Sequence, residues 1–244
     1  MCTWLYWSLF YERMPEFDKI PPSQLKALLD CLDLIEKRTG TTIPGGSNPS
    51  AHPRLLTLDP VRIWWRPLIY YLVVALSDLV VKQLLVHVWG MTLATRHGLD
   101  YLVRVPPKWD ACKDPTPIVF AYGLGIGLPQ YITIIYSFLT RLPDRPLFIL
   151  LQPHLSQQIF HPRFLAPKNK KETMIIMRQL LIDLGWVANP ADARKGGSKP
   201  RGITMTSHSN GSYVHAWFLK DAPDLVARSL FIDPVTFCGW EGGA

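Results

Sequence analysis

Five residues constrain this chain more than any others: Ser207-His208-Ser209-Asn210-Gly211, between an apolar strand pattern and an amphipathic helix pattern. The order small-x-Ser-x-small suits a tight strand-to-helix turn. Such a turn forces its central residue, Ser209, into a strained backbone conformation and exposes its hydroxyl. Small residues are needed two positions on either side because strand and helix pass close there. Gly211 meets that demand fully and Ser207 meets it less well.

The residues around the turn alternate in texture. Apolar runs at Pro117–Tyr122, Leu147–Leu151, Gly202–Ser207 and Ser229–Ile232 are separated by helical patterns. The first helix follows the glycine-rich loop and runs through Leu139. The second covers Lys171 to Trp186, with Met174, Met177, Leu180, Leu181 and Leu184 on one face, and the third runs from the turn to about Lys220. Strand-helix alternation of this kind predicts an α/β fold, a mostly parallel sheet flanked by helices. The change of texture near Tyr101 divides the chain into an N-terminal helical extension, 1–100, and an α/β core, 101–244. Within the extension, leucines at helical spacing from Ser23 to Lys37 read as a short helix. Pro21-Pro22 precede it and Ser23 stands as its N-cap.

A serine hydroxyl is a weak nucleophile at neutral pH. It needs a base within hydrogen-bond reach, an acid to orient that base, and donors for the developing oxyanion. The turn supplies Ser209 and one donor, the backbone N–H of Asn210. A second donor is expected from the glycine-rich loop after the first strand, with the N–H of Leu124 as first choice and Gly125 as second. Asp233 ends the last run, either as the acid or as a strand-ending Asp-Pro turn. His154 and His161 follow the second run, as surface histidines or as lining of a pocket. Dinucleotide binding by the glycine loop fails on spacing: its third glycine should fall at position 128, which is Leu128, and Gln152 stands where an acidic ribose ligand belongs.

The Gly-Leu-Gly-Ile-Gly-Leu loop at 123–128, the Ser-His-Ser-Asn-Gly-Ser turn and Phe231-Ile232-Asp233-Pro234-Val235 together resemble the α/β-hydrolase superfamily. More narrowly they resemble fungal membrane-associated α/β-hydrolase domain proteins, which carry an apolar Arg-Pro-Leu-Ile-Tyr type segment upstream. The resemblance covers about Arg62 to Trp240. It implies an esterase or lipase-like serine hydrolase with triad order serine, acid, histidine, an ester substrate of small-molecule or lipid type, and no cofactor. Two departures leave backbone donors intact: Tyr122 where a His-Gly pair is common, and Ser207 for glycine. A third is graver. After Ser209 the only histidine is His215, on the helix and directed away from the serine, and His208 is adjacent to it. The base is therefore expected in residues beyond Ala244, with the sequence incomplete at its C-terminus and the protein weakly active or inactive as it stands. A non-catalytic, membrane-associated α/β binding or scaffold protein is the alternative.

Residues 67–90 are long enough to span a bilayer, with Arg62, Arg66, Trp64, Trp65, Tyr70 and Tyr71 at one end and Trp89 at the other. Thirteen Leu, Ile and Val residues each favour insertion by roughly 0.3–0.6 kcal/mol, while Asp78 and Lys82 each oppose it by about 2.5–3.5 kcal/mol. The two nearly cancel, and Asp78 and Lys82 share a face at i,i+4. A spanning helix, an in-plane helix and a buried core helix all remain open. Charged residues are 18% of the chain against roughly 25% in ordinary soluble domains, mean hydropathy is +0.09 and net charge is +7. These features suit an anionic membrane surface. Basic clusters at Lys168, Lys170, Lys171 and at Arg194, Lys195, Lys199, Arg201 read as solvated loops or as contacts to acidic head groups. Aromatic residues do not interleave with them, which argues against nucleic acid. The opening residues have no basic stretch before their apolar run, which argues against a secretory signal. Trp4, Tyr6, Trp7 and Tyr11 suggest a membrane interface or the tail of a preceding segment. Cys2, Cys31, Cys112 and Cys238 form no metal or disulfide pattern, consistent with an intracellular setting.

Overall fold

The structure, a computed structural model, describes residues 1–46, 48, 50–55, 58–60, 64, 66–189 and 200–235. These fall into two compact units divided at 65/66.

In the first unit, α1 (Cys2–Phe10) and α2 (Pro22–Thr39) share a small core of Leu5, Tyr6, Ile20 and Leu28. The Tyr6 hydroxyl donates to Gln24 Oε1 at 2.6 Å, so Tyr6 is a core residue here and not an interfacial one. Helix α2 begins one residue earlier than expected. Its first residue is Pro22, whose missing N–H is harmless at that position, and Ser23 is therefore inside the helix.

The second unit holds α3 (Leu68–His87), β1 (Thr92–Arg96), β2 (Leu99–Arg104), β3 (Ile118–Ala121), α4 (Leu128–Arg141), β4 (Leu147–Leu151), α5 (Lys170–Asp183), β5 (Ile203–His208), α6 (Ser212–Asp221) and β6 (Val226–Ile232). The sheet order is β1-β2-β4-β3-β5-β6. Strands β4, β3, β5 and β6 are parallel, and β2 joins antiparallel to both β1 and β4. The sheet is thus mixed. The β1–β2 hairpin, which the sequence pattern does not announce, draws residues before 100 into the sheet, and α3 belongs to the same unit. The expected border near residue 100 is replaced by the one at 65/66.

Side chains alternate across the central strands. Ile118, Phe120, Leu147 and Ile149 join Leu128, Tyr131 and Ile135 of α4 and Val81 and Leu85 of α3 in one core. Val119, Ala121, Phe148 and Leu150 join Met174, Met177, Leu180 and Leu181 of α5 and Val214 and Phe218 of α6 in the other. Strands covered on both faces must be apolar at every position, which is why β3 and β4 read as unbroken runs. Helix α5 is started by a capping box: Asn169 accepts from the Glu172 N–H, and the Glu172 carboxylate accepts from the Asn169 N–H. It ends at Asp183, three residues short of the expected Trp186, and Gly185 adopts a positive φ of 71° just beyond it.

Helix α3 is, among the described residues, the helix long and apolar enough to cross a membrane, with mean hydropathy 1.8. It is nonetheless packed along one stripe: Val74, Asp78, Val81 and Leu85 are buried. Lys82 Nζ lies 2.7 Å from Asp78 Oδ2, so the two charges at i,i+4 pair as their spacing requires. Of the basic residues, Lys170 pairs with Asp221 at 2.9 Å. Arg194, Lys195 and Lys199 lie outside the described residues, as do Cys238 and Trp240.

Candidate active site

Strand β5 ends at His208, and Ser209 follows with φ 47°, in the left-handed region that non-glycine residues seldom occupy. A single 3-10 turn, Ser209–Gly211, then leads directly into α6. The bend works only because two glycines lie at its points of contact. A Cβ on Gly211 would stand 2.1 Å from the Ala121 carbonyl oxygen, and a Cβ on Gly123 would stand 2.8 Å from Ser209 Cβ and 3.1 Å from the Asn210 nitrogen. The loop after β3 is therefore pressed against the turn after β5, its neighbour in the sheet.

That loop is held from several directions. The Gly123 N–H donates to Tyr131 Oη at 3.1 Å, and the same oxygen lies 2.9 Å from His208 Nδ1, tying the loop to the residue before Ser209. The Ile126 N–H donates to Gln130 Oε1 at 3.1 Å. The Gly125 N–H donates to the Leu155 carbonyl at 2.9 Å. Gly125 is thereby removed as an oxyanion donor: its proton is spent on the segment after β4. Of the four amides from 123 to 126, that of Leu124 has no partner among the described residues, and its side chain is 62% exposed.

Tyr122 is buried with its hydroxyl accepting from the Gln152 N–H at 2.7 Å. Burial raises its pKa, so it stays a neutral post joining the ends of β3 and β4. Ser207 is not merely a poor glycine. Its Oγ lies 2.9 Å from His215 Nδ1, and His215 Nε2 lies 3.0 Å from Ser229 Oγ on β6. The imidazole stacks on Phe231 at 3.8 Å between centroids and is fully buried. His215 thus bridges β5, α6 and β6, away from the Ser209 hydroxyl. This three-residue link is invisible in the sequence, because nothing in a Ser–His separation of eight residues announces it.

Asp233 follows β6 as Ser209 follows β5, and His208 pairs with Ile232, so the two residues leave adjacent strands at the same sheet edge. Asp233 is exposed, has φ 45°, and makes no hydrogen bond or ion pair with the described residues. Among the described residues no histidine is hydrogen-bonded to the Ser209 hydroxyl.

A cavity of about 270 Å³ lies beside this edge, beyond β4. Lys82, Asp100, Tyr122, His161 and Arg163 line it, and Asp100 gathers Arg163, His161 at 3.3 Å and Thr95 at 2.5 Å. His154 lines a smaller cavity of about 70 Å³. Both histidines therefore line pockets, and burial lowers the pKa of each, with the Asp100 carboxylate pulling His161 back up. Ser209 borders neither cavity. No group of three or more metal-ligating side chains occurs among the described residues.

No protein-family model matches the sequence, and no curated protein matches it. Solved structures similar to the chain include α/β-hydrolases. Carboxylesterase CesB (YbfK) from Bacillus subtilis is 14% identical with a TM-score of 0.43, covering 66% of this chain and 50% of its own. A membrane phospholipase A described as a bacterial virulence factor is 17% identical with a TM-score of 0.40, covering 69% and 50%. The α/β hydrolase MGS-MChE2, from a lagoon-sediment metagenome, is 16% identical with a TM-score of 0.37, covering 57% and 50%. The chain thus spans half the length of each of these proteins.

Proposed function

We propose that this polypeptide carries the nucleophile and oxyanion donors of a serine ester hydrolase of α/β-hydrolase type, membrane-associated and intracellular. Ser209 Oγ attacks an ester carbonyl and forms a tetrahedral oxyanion. The N–H groups of Leu124 and Asn210 donate to that oxygen. Collapse expels the alcohol and leaves an acyl-serine, which water cleaves. No described histidine is bonded to Ser209 to take its proton, and Asp233 is the acid that orients the base. The observation that carries the reading is one of position. Ser209 stands in a left-handed turn at the end of a parallel strand, with Gly123 against its Cβ and the Leu124 amide, unpaired among the described residues, next in the sequence. Backbone strain at a serine of this kind is the sort that persists at functional sites.

The test is hydrolysis of p-nitrophenyl butyrate by the present protein, by Ser209→Ala, and by a longer form that continues past Ala244 through whatever its gene encodes. The present protein should exceed Ser209→Ala only slightly, since removing one triad member leaves little more than oxyanion and binding effects. The longer form should be faster by at least about a hundredfold, and Ser209→Ala should abolish the gain. Equal rates for the longer form and its Ser209→Ala variant would leave the non-catalytic binding protein as the better reading. One observation favours that alternative: no histidine reaches Ser209 among the described residues.

A further inference from the structure

We propose that α3 is an in-plane lipid seat, lying in one leaflet of a bilayer with its outward face in the acyl boundary, and that it does not cross the membrane. The inward stripe decides against crossing. Val81 and Leu85 are part of the sheet's core, and the Asp78–Lys82 pair is packed at Gly127 and Ser156: a Cβ on Gly127 would stand 3.3 Å from Asp78 Oδ1 and 2.7 Å from Ser156 Cβ. Residues from Val74 onward are thus committed to protein on one side. What remains, residues 68–73, is about 9 Å of helix, under a third of the ~30 Å hydrocarbon core. The helix crosses only if the fold comes apart.

The outward face is apolar and uncovered. Ile69, Leu72, Val73, Leu76, Val80 and Leu84 recur at helical spacing and are all exposed. The polar groups near this face are already satisfied within the helix. Ser77 Oγ donates to the Val73 carbonyl at 2.7 Å, and Gln83 Oε1 lies 2.8 Å from His87 Nε2. Between these groups the face presents hydrocarbon to its surroundings. Its N-terminal end carries Arg66 over the Tyr70 ring at 4.6 Å, with Tyr71 beside it, the pairing of cation and amphipathic ring that suits the head-group level. The net charge of +7 complements anionic lipid.

The seat also meets the candidate site. Asp78 is beside Gly127 at the start of α4, and Trp89 is 6.0 Å from Tyr136 further along it, so the two helices run the same way. Residues 68–77 therefore project past the start of α4, beyond the strand ends that carry Gly123 and Ser209. Arg66 Nη1 donates to Gln157 Oε1 at 3.1 Å, in the segment after β4 at that edge. If the hydrolase reading holds, on which this step rests, the substrate is a lipid ester taken from the interface without passing through water.

The experiment is flotation of the full chain with phosphatidylcholine vesicles containing phosphatidylserine. The exposed-face variant Ile69→Gln/Leu72→Gln/Leu76→Gln should lower the bound fraction by at least about tenfold, with an unchanged melting curve. Topology is read with Arg66→Cys and His87→Cys, each in a background with Cys2, Cys31, Cys112 and Cys238 replaced by serine. A membrane-impermeant maleimide added outside should label both positions. Labelling of one end alone means a span and overturns the proposal. So does absence of vesicle binding, binding unaffected by the triple variant, or a dimer that the triple variant dissolves in place of lipid binding. Ser209→Ala should leave both readouts unchanged, so the seat and the hydrolase reading fail separately.

Discussion

Gly211→Ala is expected to destabilise the second unit by about 3 kcal/mol or more, a large share of the roughly 5–15 kcal/mol that holds a typical domain folded. The added methyl would stand 2.1 Å from the Ala121 oxygen, 2.6 Å from the Ala121 carbonyl carbon and 2.7 Å from the Tyr122 oxygen. All three atoms are backbone, and β3 is fixed by ladders to β4 on one side and β5 on the other. No side chain can swing aside, so α6 must lift from the sheet or β3 must shift, and either breaks the core shared by Val214 and Phe218. A suitable control is Gly45→Ala, where the new Cβ meets nothing within 4 Å, and the change should stay within about 0.5 kcal/mol. Urea midpoints for the two variants check this. A Gly211→Ala protein as stable as the parent would mean that strand and helix do not approach as described.

Stability should fall as pH drops from about 6.5 to 4, by on the order of 3 kcal/mol from His215 alone. Burial lowers the His215 pKa from 6.5 to about 4. The folded state therefore refuses a proton that the unfolded state accepts near pH 6.5. Above that pH neither state is charged and the contribution is complete. Between 6.5 and 4 only the unfolded state is protonated, and the stabilisation is lost. Below about 4 both states carry the proton and this loss stops growing. The structure gives the reason: an imidazole held between two hydroxyls and stacked on Phe231 meets no carboxylate among the described residues that would welcome a charge. Carboxylates contribute their own slope at low pH, so the comparison is with His215→Gln. That variant should be less stable at pH 7.5 and should lose stability less steeply between 6.5 and 4.5. Parallel profiles for parent and variant would show that His215 titrates freely.

The turn at Ser209, the apolar strands and the helices between them are legible in the sequence because each is local. The turn needs small residues at fixed offsets, a strand buried on both faces needs an unbroken apolar run, and an amphipathic helix needs its period. The β1–β2 hairpin is hidden because β1 is largely exposed and carries no such run. Its signal is the His97-Gly98 pair, with φ 46° and 77°, the two-residue turn of a tight hairpin. The choice between Leu124 and Gly125 turns on a bond from Gly125 to Leu155, thirty residues on, which no local pattern encodes. The same holds for Ser207. By itself it looks like a blemish in the turn, and only the fold brings His215 and Ser229 to it. Residues 67–90 give length and hydropathy but not topology, because only packing shows which stripe of α3 is already taken.

The most direct measurement is reaction of the protein, extended past Ala244 through what its gene encodes, with a fluorophosphonate, followed by peptide mass spectrometry. A single adduct on the oxygen of residue 209, lost in Ser209→Ala, is the outcome expected of a hydroxyl lifted toward two backbone donors. An extended protein that takes no label, or one labelled equally after that serine is replaced, would contradict the account.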